Sequence, residues 1–372
     1  MEDRIVTITS CHYARAQLIK ARLEAAGIEC FLTHINLVQP GVATGVRVKI
    51  QEKDAETAGK IIEEIMGMTG EEKHATIQKL KRIRRILVPV DFSEYSDNAC
   101  EYALGLAVKL KAEIKLIYSY FNPLVGSEPY LENNAVAFHF DQILGDIAKE
   151  AKSQISNLKK RLREKACEMG FTQIKIVATL ERGIPENVIL HHIEKYDPGV
   201  VVMGSKGRGG NSFDYIGSVT KTIIQKSTVP VLVIPEKSVF QGIDFVNRAL
   251  YATNFETSDF QSLRRLMTLL RPFEIKIFCV HITEESDSYT ESTKMNFLKN
   301  HLKTEYPDHE VFCHTLFHED VVEGLQDYIE KQEIDLLALT THKRNIIERL
   351  FNPGITRKML FHSHIPFLVF HT

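Results

Sequence analysis

Three features are missing from this sequence of 372 residues: closely paired cysteines, a long apolar run and an excess of charge. Its six cysteines form no Cys-x-x-Cys pair, which argues against a disulfide framework and a zinc finger. No apolar run approaches the roughly 18 residues of a spanning helix, and the N-terminus has no signal-peptide core. A formal net charge of −2 argues against a general nucleic-acid binder. We therefore expect a cytoplasmic protein with neither a membrane nor a nucleic-acid partner.

The first 68 residues predict a small α+β domain. Their pattern is a strand over 4–9, a helix over 14–26 ended by Gly27, strands over 28–33 and 46–50, and a helix over 54–66. The segments AAGIECFL, GVRVKI and DAETAGKIIEEI resemble a small bacterial domain family described only as signal-transducing. Residues 69–83 are charged, with few large apolar side chains, and predict a linker.

From Arg85 onward, strands and helices alternate, which predicts a parallel sheet covered on both faces. Strands are expected over 86–90, 113–120 and 171–179, and helices over 96–110, 138–169 and 185–196. Cys100, Cys167 and Cys279 lie in apolar contexts, which predicts buried free thiols.

An internal repeat divides this second part of the chain. ILVPVDFSEYSDNA (86–99) is echoed by ALYATNFETSDFQS (249–262), an offset of 163 residues. VVVMGSKGRGG is echoed by LLALTTHKRNI at an offset of 136, so the second copy is 27 residues shorter. Residues 236–246 connect the copies.

A glycine-rich loop in the first copy follows a buried strand and opens a helix. Its pattern is Gly204-x2-Gly207-x9-Gly217-Ser218. Glycines allow close approach of the backbone, and free N–H groups at a helix start favour phosphate. The spacing fits neither a Walker loop nor a GxGxxG dinucleotide turn.

Four features together resemble the universal stress protein family: VPVDFS, Gly183-x-Pro185, the glycine pattern above and VPVLVIP. The resemblance covers residues 84–236 and, in degenerate form, 247–372. It implies two α/β domains, each a doubly wound five-stranded parallel sheet. One branch of the family binds ATP through this glycine pattern.

Carried over by position, the resemblance implies two groups of nucleotide contacts. The base and ribose would meet Pro89, Val90, Asp91, Ser119, Met203 and Gly204, with serine at 119 where the family often has valine. The phosphates would meet Gly207, Gly217, Ser218 and Val219, through backbone N–H groups and the Ser218 hydroxyl. Independently of the family, Lys206 and Arg208 lie inside the loop and are placed to neutralise phosphate charge. ATP is the expected ligand, AMP and ADP are alternatives, and Mg²⁺ would accompany the phosphates.

The second copy departs from this pattern. Asn254 stands where the first copy has Asp91, and Thr340, Lys343, Pro353 and Gly354 stand where it has Gly204, Gly207, Gly217 and Ser218. Side chains at the first two glycine positions obstruct close approach, and proline removes an N–H donor. We therefore expect no ATP binding of the same kind here. We expect a structural role as a built-in dimer partner that pairs through residues 229–234 and 366–370. A homodimer is a further option.

Three functions stay open at this point. The first is an ATP-binding regulatory module for stress response or signal transduction, acting on an unidentified protein partner. The second is a slow ATPase, although the loop supplies no clear general base and no catalytic residue is assigned. The third is a nucleotide-free interaction scaffold.

Histidines are concentrated in the second copy: His281, His314, His318, His342, His362, His364 and His371. A metal site would bring His318 and His342 together near strand ends. No compact ligand spacing supports one, so we expect surface or cleft histidines and assign no metal.

Overall fold

The computed structural model divides into two compact units, Met1–Lys81 and Arg82–Thr372. It describes residues 5–11, 13–33, 46–51, 54–55, 57–58, 61–62, 84–120, 134–208, 216–283, 289–306, 309–340 and 365–371. Within those ranges, no helix is both long and apolar enough to cross a membrane.

The first unit is a three-stranded antiparallel sheet with one described helix packed on it. Its elements are β1 (Ile5–Cys11), α1 (Tyr13–Ala25), β2 (Cys30–Thr33) and β3 (Val46–Gln51), with β3 in the centre. Alternate residues of β3, beginning with Val46, are buried against Ile19 and Leu23 of α1. Of the second helix expected over 54–66, residues 55, 57–58 and 61–62 are helical, and most of the rest lies outside the described residues.

Gly27 ends helix α1, as the sequence predicts. Its φ of 76° is left-handed, a conformation that glycine adopts without steric cost. The Ile28 N–H then donates to the Leu23 carbonyl at 2.9 Å, which satisfies a group at the helix end.

The second unit contains the two sequence repeats as two sets of five strands. The first copy comprises β4 (Arg85–Pro89), α2 (Glu94–Leu110), β5 (Glu113–Tyr120), α3 (Asn134–Glu168), β6 (Ile176–Arg182), α4 (Pro185–Tyr196), β7 (Val200–Gly204), α5 (Ser218–Lys226) and β8 (Val231–Ile234). The second comprises β9 (Arg248–Ala252), α6 (Thr257–Leu270), β10 (Lys276–Thr283), α7 (Tyr289–Glu305), β11 (Glu310–Phe317), α8 (Val321–Lys331), β12 (Leu336–Thr340) and β13 (Phe367–Phe370).

All ten strands form one sheet, in the order β11-β10-β9-β12-β13-β8-β7-β4-β5-β6. Within each copy the neighbouring strands are parallel, which confirms the doubly wound α/β fold. The two copies meet where β13 pairs with β8 antiparallel, in the register Phe367↔Val233 and Val369↔Val231. The last strands of the two repeats therefore pair with each other inside the chain.

Helices cover both faces of this sheet, so its strands are apolar along their whole length. Ile86 and Val88 of β4 belong to a buried cluster that includes side chains of α2, α3, α6 and α7. Leu87 belongs to a second cluster that includes side chains of α4, α5 and α8. Successive residues of a strand thus enter opposite cores, as the pleat requires.

The connector between the copies packs on helix α2. The Tyr102 hydroxyl lies 2.8 Å from the Ser238 hydroxyl and donates to the Val239 carbonyl at 3.1 Å. The Phe240 and Phe245 rings lie 5.3 and 5.0 Å from the Tyr102 ring. A Cβ on Gly105 would come within 2.8 Å of the Phe240 ring, so a larger residue here would displace that ring.

Four expectations need correction. The strand predicted over 171–179 lies at Ile176–Arg182, because the chain turns at Gly170 (φ 84°) and begins to pair only where Ile176 faces Ile114. Helix α3 starts at Asn134 rather than 138, and α2 starts at Glu94 rather than 96. Cys167 is exposed, because it lies near the end of α3 on its solvent side, whereas Cys100 and Cys279 are buried.

Candidate functional site

The carboxyl ends of β4 and β7 meet at the point where the strand order of the first copy reverses. From β4 the chain proceeds to β5 and β6 on one side, whereas β7 and β8 lie on the other. In such sheets ligands bind in the crevice outside the strand ends at this switch point. Pro89 ends β4 and Gly204 ends β7, so these two predicted residues lie at the crevice.

Three predicted base-pocket residues share one face of the sheet. Met203 belongs to the core beneath α4 and α5. Pro89 and Ser119 lie two residues beyond Leu87 and Ile117 of the same core, so alternation places them on that face. Val90 does not join them: its side chain enters the opposite core, and its N–H donates to the Ile117 carbonyl at 2.9 Å. The structure thus brings Pro89, Ser119 and Met203 together and separates Val90 from them.

Asp91 ties the loop after β4 to the glycine loop. One carboxylate oxygen accepts from the Ser93 N–H at 3.1 Å and the Ser93 hydroxyl at 2.5 Å. The other accepts from the backbone N–H of Arg208 at 2.7 Å. Ser93 in turn caps helix α2 by accepting from the Ser96 N–H. The carboxylate expected to read the nucleotide therefore holds two protein loops together.

Close packing explains two of the glycines. A Cβ on Gly204 would lie 2.8 Å from the Cβ and 2.9 Å from the carbonyl oxygen of Tyr95, in the first turn of α2. A Cβ on Gly207 would overlap the Asp91 carboxylate. Gly217 has more room, since its nearest contact would be the Lys206 Cα at 3.4 Å. Gly204 and Gly207 thus have a structural role whether or not a ligand binds.

Helix α5 begins at the crevice with Gly217 as its N-cap residue. The Gly217 N–H donates to the Ser205 carbonyl at 2.8 Å, so in this arrangement it is already used. The Thr220 hydroxyl donates to the Gly204 carbonyl at 2.9 Å and fixes the helix start to the end of β7. Ser218 is exposed and Val219 half-buried, and N–H groups of the first helical turn have no acceptor inside the helix.

Arg208 packs on an aromatic pair that the sequence reading missed. Its guanidinium donates to the Phe92 carbonyl at 3.2 Å and lies 5.7 Å from the Phe92 ring centre. Phe92 packs on Tyr118 with ring centres 4.5 Å apart. Burial raises the pKa of Tyr118; Arg208 lowers it, and Asp91 raises it further. Lys206 is half-buried in the same loop, so two cationic side chains lie at the crevice.

Both copies retain the aromatic residue in an uncommon backbone conformation. Phe92 has φ of 60° and its repeat counterpart Phe255 has φ of 63°, a region that bulky residues rarely enter. Phe255 packs on His281 at 4.7 Å, as Phe92 packs on Tyr118. The repeat aligns the two phenylalanines, so it was the signal that could have found them. Tyr95 and Ser205 carried no such signal.

The corresponding strand ends of the second copy carry different side chains: Ile282 stands in the place of Ser119 and is buried in the core beneath α8. On the opposite face, His281 is the counterpart of Tyr118, with Nδ1 2.8 Å from the Thr253 carbonyl oxygen and Nε2 3.2 Å from a Glu291 oxygen of α7. The Asn254 N–H donates to buried Asp259 at 2.8 Å. Thr340 is buried at the end of β12, while Lys343, Pro353 and Gly354 lie outside the described residues.

The histidines of the second copy belong to no metal site in the part of the chain that the structure describes. No group of three or more histidine, cysteine or acidic side chains is arranged to hold an ion there. The Nδ1 of His318 accepts from the Asp320 N–H at 3.0 Å, beside the start of α8. His342 lies outside the described residues.

Comparison with known proteins confirms both sequence resemblances. Residues 82–235 and 246–371 match the universal stress protein family model, and residues 7–66 match the model described as "Putative prokaryotic signal transducing protein". The chain is 31% identical over 151 residues to universal stress protein YxiE of Bacillus subtilis, covering 40% of this chain and 97% of the relative. It is 28% identical over 165 residues to universal stress protein MJ0577 of Methanocaldococcus jannaschii, covering 42% and 96%.

A solved structure with the same architecture spans both copies. The universal stress protein from Archaeoglobus fulgidus DSM 4304 covers 78% of this chain and 97% of its own, with a TM-score of 0.57. At 18% identity this similarity shows the fold alone.

Proposed function

The chain belongs to the universal stress protein family, and we propose that its first α/β copy, residues 84–236, binds one adenine nucleotide. ATP is the proposed ligand, and its occupancy would regulate the binding of a protein partner. The second copy, residues 247–372, acts as the structural partner that completes the sheet. AMP and ADP offer the same base and ribose, so the ligand test must separate them from ATP.

The difference between the two crevices carries this proposal. In the first copy the strand ends face a helix N-terminus and a cationic loop with Lys206 and Arg208. In the second, Ile282 stands in the place of Ser119 and Thr340 in the place of Gly204, and both side chains are buried. This difference between the two copies supports a stoichiometry of one nucleotide per chain.

The phosphates would lie at the start of helix α5. Exposed Ser218 offers its hydroxyl and N–H, and the Val219 N–H follows. The helix dipole adds to the attraction for an anion. Gly217, as N-cap, has no side chain to satisfy these N–H groups. We propose that Gly217 shapes the helix start rather than donating to phosphate, because its own N–H already donates to the Ser205 carbonyl.

The base and ribose would lie between Pro89, Ser119 and Met203. Pro89 and Met203 supply apolar surface, and the Ser119 hydroxyl supplies a donor or acceptor. We propose that Asp91 acts mainly through Arg208, by fixing the glycine loop over the crevice. Mg²⁺ fits this site only as an ion carried by the phosphate oxygens, because Asp91 accepts three hydrogen bonds from protein groups.

One preparation tests the ligand. The full-length protein is purified without added nucleotide, denatured, and the released small molecules are chromatographed against ATP, ADP, AMP and cyclic AMP standards. Calorimetric titration of nucleotide-stripped protein then measures affinity. Absence of released adenine nucleotide, together with no heat on ATP addition, would contradict the proposal and favour the interaction scaffold.

The same preparation separates binding from hydrolysis. Labelled ATP is incubated with wild type and with Ser218→Asp, which adds a negative charge at the proposed phosphate site. Turnover in the wild type that disappears in the variant would establish the slow ATPase. Equal residual turnover in both would identify a contaminant.

A further inference from the structure

Two cysteines of the second copy face each other across neighbouring strands. Cys279 of β10 and Cys313 of β11 are direct register partners in a parallel pair. Both side chains enter the same buried cluster, so they lie on the same face of the sheet. Both are free thiols.

Their spacing suits a covalent bond. Neighbouring strands lie about 4.8 Å apart, and disulfides join residues whose Cα atoms are about 4.4–6.8 Å apart. Register partners on one face of the sheet meet this Cα requirement. Neither Cys100 nor Cys167, which lie in helices α2 and α3, is placed opposite a cysteine in this way.

The chemical surroundings distinguish the two sulfurs. The Cys279 thiol donates a hydrogen bond to Cys313, which lowers the pKa of Cys313; burial opposes this effect, and Lys299 and Lys303 of α7 support it. The same hydrogen bond, with burial, raises the pKa of Cys279. Because a thiolate is the attacking species in thiol oxidation, Cys313 is the nucleophile and Cys279 the resolving thiol.

The position of the pair also gives it a route to solvent. Among the described strands, β11 is at one edge of the ten-stranded sheet and pairs with β10 alone. Cys313 is 9% exposed, whereas Cys279 is fully buried. An edge strand opens locally at a lower free energy than a central one, so a small oxidant reaches Cys313 first.

We propose that Cys279 and Cys313 form a redox-active thiol pair that a peroxide converts into a disulfide. The Cys313 thiolate attacks one peroxide oxygen: an S–O bond forms, the O–O bond breaks, and the departing oxygen takes a proton to leave as water or an alcohol. Cys279 then attacks the sulfenic sulfur. The S–S bond forms, the S–O bond breaks, and the Cys279 proton leaves with the hydroxide as water. Two thiols and one peroxide thus give one disulfide, one alcohol or water, and one water.

This site is independent of the proposed nucleotide site, because it lies in the other copy. Its product would fix the edge strand β11 covalently to β10. Oxidation would therefore act on the second copy whether or not the first binds ATP.

Peptide mapping of the full-length protein tests the proposal. Reduced protein is treated with hydrogen peroxide, its remaining thiols are alkylated under denaturing conditions, and the non-reduced digest is analysed by mass spectrometry. We expect a linked pair of peptides containing Cys279 and Cys313, two hydrogens lighter than the separate peptides and lost on reduction. Cys167, exposed and single, reports that oxidant was present, and Cys100, buried and single, should remain alkylatable.

A single variant tests the assignment of roles. In Cys279→Ser, which removes the resolving thiol, peroxide should leave a sulfenic acid on Cys313 that dimedone traps. The wild type should show several-fold less trapping at the same dose. Oxidation of Cys167 while Cys279 and Cys313 both remain alkylatable thiols would overturn the proposal. So would a disulfide that joins either of them to a different cysteine.

Discussion

Ser218→Asp should weaken ATP binding and at the same time leave helix α5 at least as stable. Ser218 is exposed at the first helical position, and the described first turn of the helix contains no acidic residue. A carboxylate there interacts favourably with the helix dipole, by about 0.3–1 kcal/mol. A general loss of folding therefore cannot explain a loss of affinity.

The expected loss follows from Coulomb repulsion. A carboxylate about 4 Å from a phosphate oxygen repels each unit of charge by about 1 kcal/mol in bulk water and about 4 kcal/mol at an effective dielectric constant of about 20. Even the lower value, applied to the multiply charged phosphates of ATP, weakens binding by about tenfold or more. The loss should shrink as salt concentration rises, because exposed charges are screened.

Two controls isolate the cause. Ser218→Asn has the shape of aspartate without its charge, so the ratio of the two dissociation constants measures the charge alone. Gln225→Glu adds the same charge to an exposed position of α5, seven residues or about 10 Å along the helix. Calorimetric titration with ATP at low and moderate salt gives the affinities, and thermal unfolding gives the stabilities. Equal affinities of Ser218→Asp and Ser218→Asn would refute the proposed phosphate position.

Three further predictions concern stability and are measured by urea denaturation. Gly204→Ala should lower the free energy of unfolding by about 1–3 kcal/mol, because the added Cβ would lie 2.8 Å from Tyr95. Gly217→Ala should lower it by less than about 1 kcal/mol. Equal losses in the two variants would contradict this packing. Asp259→Asn should cost about 1–3 kcal/mol, because the buried carboxylate accepts several hydrogen bonds that an amide nitrogen cannot, and an unchanged midpoint would argue against it. Burial lowers the pKa of His192 in the folded protein, so the unfolded chain binds that proton more tightly. The contribution of His192 to the free energy of unfolding is therefore complete above about pH 6.5, and it is lost as the pH falls through the folded pKa. His192→Gln should flatten this decline, and an unchanged slope would exclude His192 as its source.

The architecture was accessible from the sequence because each copy repeats the same local pattern. Continuous apolar strands and amphipathic helices alternate, and the glycine spacing locates the loop between β7 and α5. Helix α4 was predicted with its observed bounds, Pro185–Tyr196, since proline at the first position and the apolar periodicity both mark it. Strand β6 was misplaced, because the turn after Gly170 carries apolar residues that resemble a strand start.

The roles of individual site residues were less accessible, because they depend on neighbours distant in sequence. Nothing near Gly204 in the chain indicates that Tyr95 packs on it, and nothing near Asp91 indicates that its partner is the Arg208 N–H. A glycine required for packing and a glycine required for a ligand have the same sequence pattern. Only the folded structure shows that Gly204 is packed against Tyr95 whereas Gly217 has more room. For this reason Gly204 substitutions are a poor test of binding, and the exposed start of α5 is a better one.

The antiparallel junction between the copies bears on how many nucleotides the chain can bind. Strands β8 and β13 run in opposite directions, and all other neighbours in the sheet are parallel. The carboxyl ends of β4 and β7 therefore lie at one end of the sheet, and those of β9 and β12 at the opposite end. No residue of the second crevice can complete a site in the first, so each copy must bind a ligand with its own residues. With Ile282 and Thr340 buried at the strand ends of the second copy, the expected stoichiometry is one ATP per chain, and a calorimetric value near two would contradict this reasoning.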